Sequence, residues 1–207
     1  MNFITYAVNK PQNFKKLKSV KQSFFGRGTD ASVFLYNEKP NGLVHLILKL
    51  NDEYLIRTKL FSEYTSIPFD HYINVFFNLS SSTLFVEESL GAYLDVAIEY
   101  LQRAAKIQVE RKKIALDTFI KLSEKYSGNS DIIRLEYLSK ESDEEVTLEY
   151  TSMLKFENLK NDFEQIDFMI WRFNEFYASI NMTGKVKVDN SQDEFLVKFL
   201  GELSNEI

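Results

Sequence analysis

Seven glycines and three prolines in 207 residues leave this chain few places to interrupt regular structure. Long elements joined by short turns are therefore expected. Hydrophobic residues make up 44% and charged residues 27%, a balance that fits a folded chain and excludes disorder throughout. A chain of this length buries most of its apolar surface without covalent staples. Cysteine is absent, which removes disulfides, thiolate metal sites and cysteine nucleophiles and suits a reducing compartment. The only histidines are His45 and His71, too few for a histidine-rich metal centre. No apolar run approaches the ~18–20 residues of a membrane span. The first basic stretch follows the opening apolar residues, the reverse of a signal peptide. The expectation is a cytoplasmic protein with no cofactor, no metal and no membrane partner.

Alternating apolar and polar residues read as strands over 3–8, 32–36, 43–50, 54–61, 72–79 and 83–87. Turns fall at Asn41-Gly42, at Asn51-Asp52-Glu53 and at the serines 80–82. This predicts an N-terminal antiparallel meander with one face on the core. Leu90, Tyr93, Leu94, Ala97, Ile98 and Leu101 form a helical face, as do Leu116, Phe119, Ile120 and Tyr126. A single helix through both would put Gln108 and Lys112 at the centre of the shared face. A break near 106–113, with a short strand, is the better reading. Residues 131–138 and 145–150 predict a second hairpin, 185–188 a strand, and Ser191 with Glu194 a capping box opening a last helix. The predicted class is α+β: a sheet packed with several helices and a second small hairpin. These form one unit over 1–207, or two closely packed lobes, 1–88 mainly β and 89–207 mixed.

Leu159, Phe163, Ile166, Ile170, Phe173, Tyr177 and Ile180 recur at spacings of four and three, which predicts an apolar helix over 156–180. On that helix Phe168 lies opposite the seam beside Arg172, and Trp171 flanks it. An aromatic pair next to an arginine is an interface composition, so Phe168, Trp171 and Arg172 are the candidate partner-binding residues. The alternative is another packed layer of the same domain.

The first 29 residues carry Lys10, Lys15, Lys16, Lys18, Lys21 and Arg27 and no acid; against a total of −5, the remainder sums to −11. Such a leader suits an anionic partner. Lys15, Lys16, Lys18, Lys21 and Arg27 are candidate nucleic-acid contacts, with Phe24 or Phe25 to stack on a base. The acidic body opposes this, and a lysine run is commonly a solvated face. Glu110-Arg111-Lys112 has the acid-x-Lys form of some metal-dependent nucleases, but its nearest upstream acids, Asp95 and Glu99, fall on the polar face of a predicted helix. No catalytic residue is assigned, and the balance leans away from an enzyme.

Val75-Phe76-Phe77-Asn78-Leu79, the serine turn and Leu84-Phe85-Val86-Glu87-Glu88 lead into a helix, a short strand, a helix and a strand over 132–138. This order resembles poorly characterised domains encoded near prokaryotic phage-defence and mobile-element genes, some with folds like recombination-associated DNA-binding proteins. The resemblance covers 70–138, carries no diagnostic motif, transfers no functional residue and implies an accessory role in phage–host conflict. The sequence reading is a non-enzymatic interaction protein that meets a protein partner or a second copy. A nucleic-acid-binding protein is the alternative and a metal-dependent nuclease a distant third.

Overall fold

The computed structural model describes residues 1–19, 31–39, 42–57, 64–89 and 92–207. The strands are β1 (Asn2–Val8), β2 (Ala31–Glu38), β3 (Leu43–Arg57), β4 (Tyr64–Asn78), β5 (Thr83–Glu87), β6 (Val109–Arg111), β7 (Asp131–Ser139), β8 (Glu145–Thr151), β9 (Phe163–Phe173), β10 (Phe176–Asn181) and β11 (Lys185–Val188). The helices are α1 (Tyr93–Ala105), α2 (Leu116–Tyr126), α3 (Met153–Leu159) and α4 (Asp193–Glu206), preceded by a 3₁₀ helix over Pro11–Ser19. All the strands join one antiparallel sheet in the order β2-β3-β4-β5-β1-β11-β10-β9-β7-β8, with β6 pairing to β1 beside β11.

That sheet overturns the predicted α+β class. The protein is predominantly β, and the supposed second hairpin, β7–β8, is the far end of the same eleven-stranded sheet. The predicted helix over 156–180 is replaced by the short α3 followed by β9 and β10. Bulges in the β7–β9 pairing, one of them at Asp167, insert extra residues and mimic a helical spacing of three. The turn expected at Asn51-Asp52-Glu53 is absent: β3 runs through it, paired with β4 from Leu43↔Asn78 to Arg57↔Tyr64. The helix–strand–helix order across 93–126 is as expected. The last helix starts at Asp193 with Gln192 as its N-cap and no side-chain cap bond, so Ser191 does not close a capping box.

The two faces of the sheet are covered unequally. On one face the 3₁₀ helix and α1 cover β1 and β3–β5, with Phe14 stacked on Phe77 at 3.8 Å and Leu101 buried beside Val75 and Val86. On the opposite face α2, α3 and α4 bury Phe3, Phe76 and Phe85 together with Leu135, Met169, Trp171 and Ile180. β5 is sandwiched, so Leu84, Phe85 and Val86 are all fully buried and read as a continuous apolar run. β11 reads Lys-Val-Lys-Val with exposed and buried residues in strict alternation. One face of β11 therefore packs on the core and the other meets solvent.

Candidate interaction surface

The register locates this open face. Asn2 pairs with Lys187, Lys187 with Ser179, Ser179 with Ile170 and Ile170 with Arg134, and paired residues share a side of the sheet. By the same rule Phe168, Asn181, Arg172, Tyr177 and Lys185 lie on this side. No helix of the described residues covers it: α1 and the 3₁₀ helix end over the β1–β5 half. Tyr177 is 47% exposed, while Phe168 and Ile170 are half-buried. Two adjoining hollows of about 460 and 250 Å³ open here, and Ser179 and Lys187 line both.

The charges on this face are largely neutralised within it. Arg172 pairs with Asp131 at 2.6 Å, and that carboxylate raises the guanidinium pKa further. Arg134 pairs with Glu136 at 2.5 Å and reaches Glu149 at 4.0 Å. Lys185 pairs with Glu88 at 2.6 Å. Lys187 has no carboxylate partner among the described residues. Exposed pairs of this kind contribute about 1 kcal/mol or less to stability. Their effect is on the surface: they hold paired polar groups around Phe168, Ile170 and Tyr177.

Of the expected partner-binding set, Phe168 and Arg172 stand on this face and Trp171 does not. Trp171 is fully buried under α2, 6.2 Å from the Tyr126 ring, and is a core residue. In a helix, positions i, i+3 and i+4 share a face; in a strand, i and i+4 do and i+3 is on the other side. Ile170 and Tyr177, placed by sequence on the apolar seam of the predicted helix, belong to the open face. The alternation over 185–188 was the signal for Lys185 and Lys187.

The leader residues are elsewhere. Lys15 and Lys16 are exposed on the 3₁₀ helix, whose Phe14 and Leu17 dock into the core. Neither lysine has a carboxylate partner among the described residues, whereas Lys18 pairs with Glu38 at 3.1 Å. Lys21, Phe24, Phe25 and Arg27 lie outside the described residues. Glu110 is exposed on β6, and Lys112 is half-buried, its pKa lowered by desolvation. Among the described residues no cluster of three or more His, Asp or Glu is placed to hold a metal ion. His45 stacks on Phe76 and bonds Asn74 at 2.9 Å. His71 does not meet its neighbour Asp70, which faces the other side and pairs with Lys49 at 2.8 Å. Its Nε2 instead lies 2.8 Å from Ser89 Oγ. No helix of the described residues is long and apolar enough to cross a membrane.

No protein-family model matches this sequence, and no curated protein is similar to it.

Proposed function

We propose that this chain is a non-enzymatic interaction protein that docks another protein on the open face of β11–β10–β9–β7. The observation that carries the proposal is the pairing of Phe168, Ile170 and Tyr177 with a charge-balanced surround on an uncovered sheet. Aromatic anchors, arginine and a polar rim suit a protein surface. A nucleic-acid backbone needs unpaired cations, and here Arg134, Arg172 and Lys185 are already paired. An accessory role in phage–host conflict rests on the resemblance of residues 70–138 and is part of this proposal.

A photo-crosslinking residue placed at Tyr177, expressed in the native host, tests it. A discrete protein adduct is expected, lost in Phe168→Glu with Lys187→Glu while circular dichroism shows the fold retained. Absence of any adduct, or crosslinks to nucleic acid, would overturn the proposal.

A second reading, nucleic-acid binding through the leader, draws on the exposed and unpaired Lys15 and Lys16. It requires an affinity for a labelled oligonucleotide that falls steeply with salt and is lost in Lys15→Glu with Lys16→Glu.

A further inference from the structure

Beyond Leu50, where the pairing with β2 ends among the described residues, β3 and β4 continue as a two-stranded ribbon from Asn51↔Asp70 to Arg57↔Tyr64. A ribbon of two strands is only marginally stable in water. This one also holds large apolar groups in solvent. Tyr54 is 61% exposed and Leu55, next to it on the other side of the ribbon, is 68% exposed.

The two edges of the ribbon differ. In the middle of β4 stands Pro68, paired with Glu53. A proline has no N–H to give to a ladder, so its nitrogen faces the outer edge of β4 and interrupts it. The described part of β3 has no such block. The Glu53 N–H donates to Asp52 Oδ1 at 2.7 Å, so it does not serve the ladder with β4. The Asn74 N–H likewise turns away from β3 and donates to Glu87 at 2.9 Å. Inward and outward groups alternate in an antiparallel pair, so Asn51, Glu53, Leu55 and Arg57 all turn N–H and C=O to the outer edge of β3. Such a row is a template for another strand.

The row is self-complementary. Antiparallel pairing with a second copy about Leu55 sets Leu55 opposite Leu55, Glu53 opposite Arg57 and Tyr54 opposite Ile56. Every outward-turned residue then meets another. Opposite charges face each other twice, and apolar residues fill the positions between. Centring on Glu53 or Arg57 opposes like charges, and centring on Tyr54 sets Glu53 against Leu55. Glu53 is exposed, accepts from Ser66 Oγ at 2.5 Å and has no cationic partner among the described residues.

We propose that the edge of β3 from Glu53 to Arg57 is a homodimer contact, in which two copies of this chain join their sheets through an antiparallel β3–β3 junction. The contact is isologous and closes at two copies. It is separate from the open face and leaves that face free.

Sedimentation velocity on the full chain over a range of concentrations tests it. A reversible monomer–dimer equilibrium with a Kd on the order of 1–100 μM is expected, because so short a junction falls at the small end of interface sizes. Glu53→Arg and Arg57→Glu should each raise Kd at least about tenfold by opposing like charges. An equimolar mixture of the two variants should dimerise as tightly as the parent, since each supplies the charges the other lacks. Leu55→Pro removes an N–H that β4 does not use, and should abolish the dimer with circular dichroism unchanged. Phe168→Glu with Lys187→Glu should leave the dimer intact, which separates this contact from the docking face. A monomer at about 1 mM, roughly tenfold above the upper expected Kd, would overturn the inference. So would a dimer that survives Leu55→Pro, a dimer lost in the open-face variant, or a mixture of the two charge variants that stays monomeric.

Discussion

Gly184 and Lys112 meet backbone to backbone: a Cβ on Gly184 would stand 2.1 Å from the Lys112 carbonyl oxygen. Gly184 has φ +82° and closes the β10–β11 turn, its N–H donating to Asn181 O at 3.0 Å and its carbonyl accepting from Thr5 N–H at 2.8 Å. The contact brings the β6 segment, the turn and β1 together beside the open face. Gly184→Ala meets both a left-handed backbone and a backbone atom that cannot rotate away. The expected loss is about 3 kcal/mol or more, read as a lower urea midpoint with an unchanged slope. A loss under about 1 kcal/mol would mean that the β6 segment yields freely.

Trp171 and Phe168, three residues apart on one strand, should separate cleanly on mutation. Trp171→Ala empties a fully buried site and is expected to cost about 3–5 kcal/mol. Phe168→Ala on the half-open side should cost about 1 kcal/mol, with circular dichroism unchanged. Equal losses from the two would place Phe168 in a packed layer and remove it from the proposed surface.

Much of the strand pattern was legible because one-sided burial writes a period of two: β8, β11 and the Leu135–Ser139 half of β7 follow it, while β5 was legible as a short, continuous apolar run. Residues 156–180 misled for a physical reason. A bulge at Glu164 puts Phe163 and Ile166 on the core side at a spacing of three, while the other seam members, Ile170 and Tyr177 on the open face and Phe173 and Ile180 on the core side, only coincide with a helical count. The enrichment of Phe, Ile and Trp across 163–173 favoured a strand, a preference that is weak without knowledge of the neighbouring strands. The polar triplet Asn51-Asp52-Glu53 resembled a turn, but it lies within β3 paired with β4, where among the described residues β2 pairing ends at Ala31↔Leu50 and Asn51 and Glu53 are exposed. Of the site, Phe168 and Arg172 were found through the wrong helical wheel, since i and i+4 coincide in both geometries. Ile170 and Tyr177 required the sheet order, which no local pattern encodes.

Asn78 ties the β4–β5 turn to α4, and its amide is fully used. Its Nδ2 donates to Ser204 Oγ at 2.7 Å and Asn205 Oδ1 at 3.0 Å, and its Oδ1 accepts from Ser80 N at 2.9 Å and Ser81 N at 3.4 Å. Only 3% of the residue is exposed. Asn78→Ala leaves turn N–H groups without their acceptor and should cost about 2–3 kcal/mol in urea unfolding. Asn78→Asp keeps the acceptors but buries a charge beside Asn205 Oδ1, and should be at least as destabilising at neutral pH and less so once the carboxyl is protonated. An aspartate variant as stable as the parent at pH 7 would contradict this account of the amide.

Asp162 fastens the β7–β8 turn and gives it a pH dependence of known sign. Its Oδ1 accepts from the Glu141 N–H at 3.0 Å and from Ser139 Oγ at 2.8 Å, and these bonds hold its pKa below the ordinary 3.8. With the folded value below the unfolded one, the contribution is fully present above about pH 4 and fades as pH falls through the folded value. The Glu141 amide proton should therefore titrate with a midpoint under 3.8. In Asp162→Asn that titration should vanish, and the acid sensitivity of the turn, read by exchange of the Glu141 amide, should flatten. A midpoint at or above the ordinary carboxylate value would show that the turn closes without this carboxylate.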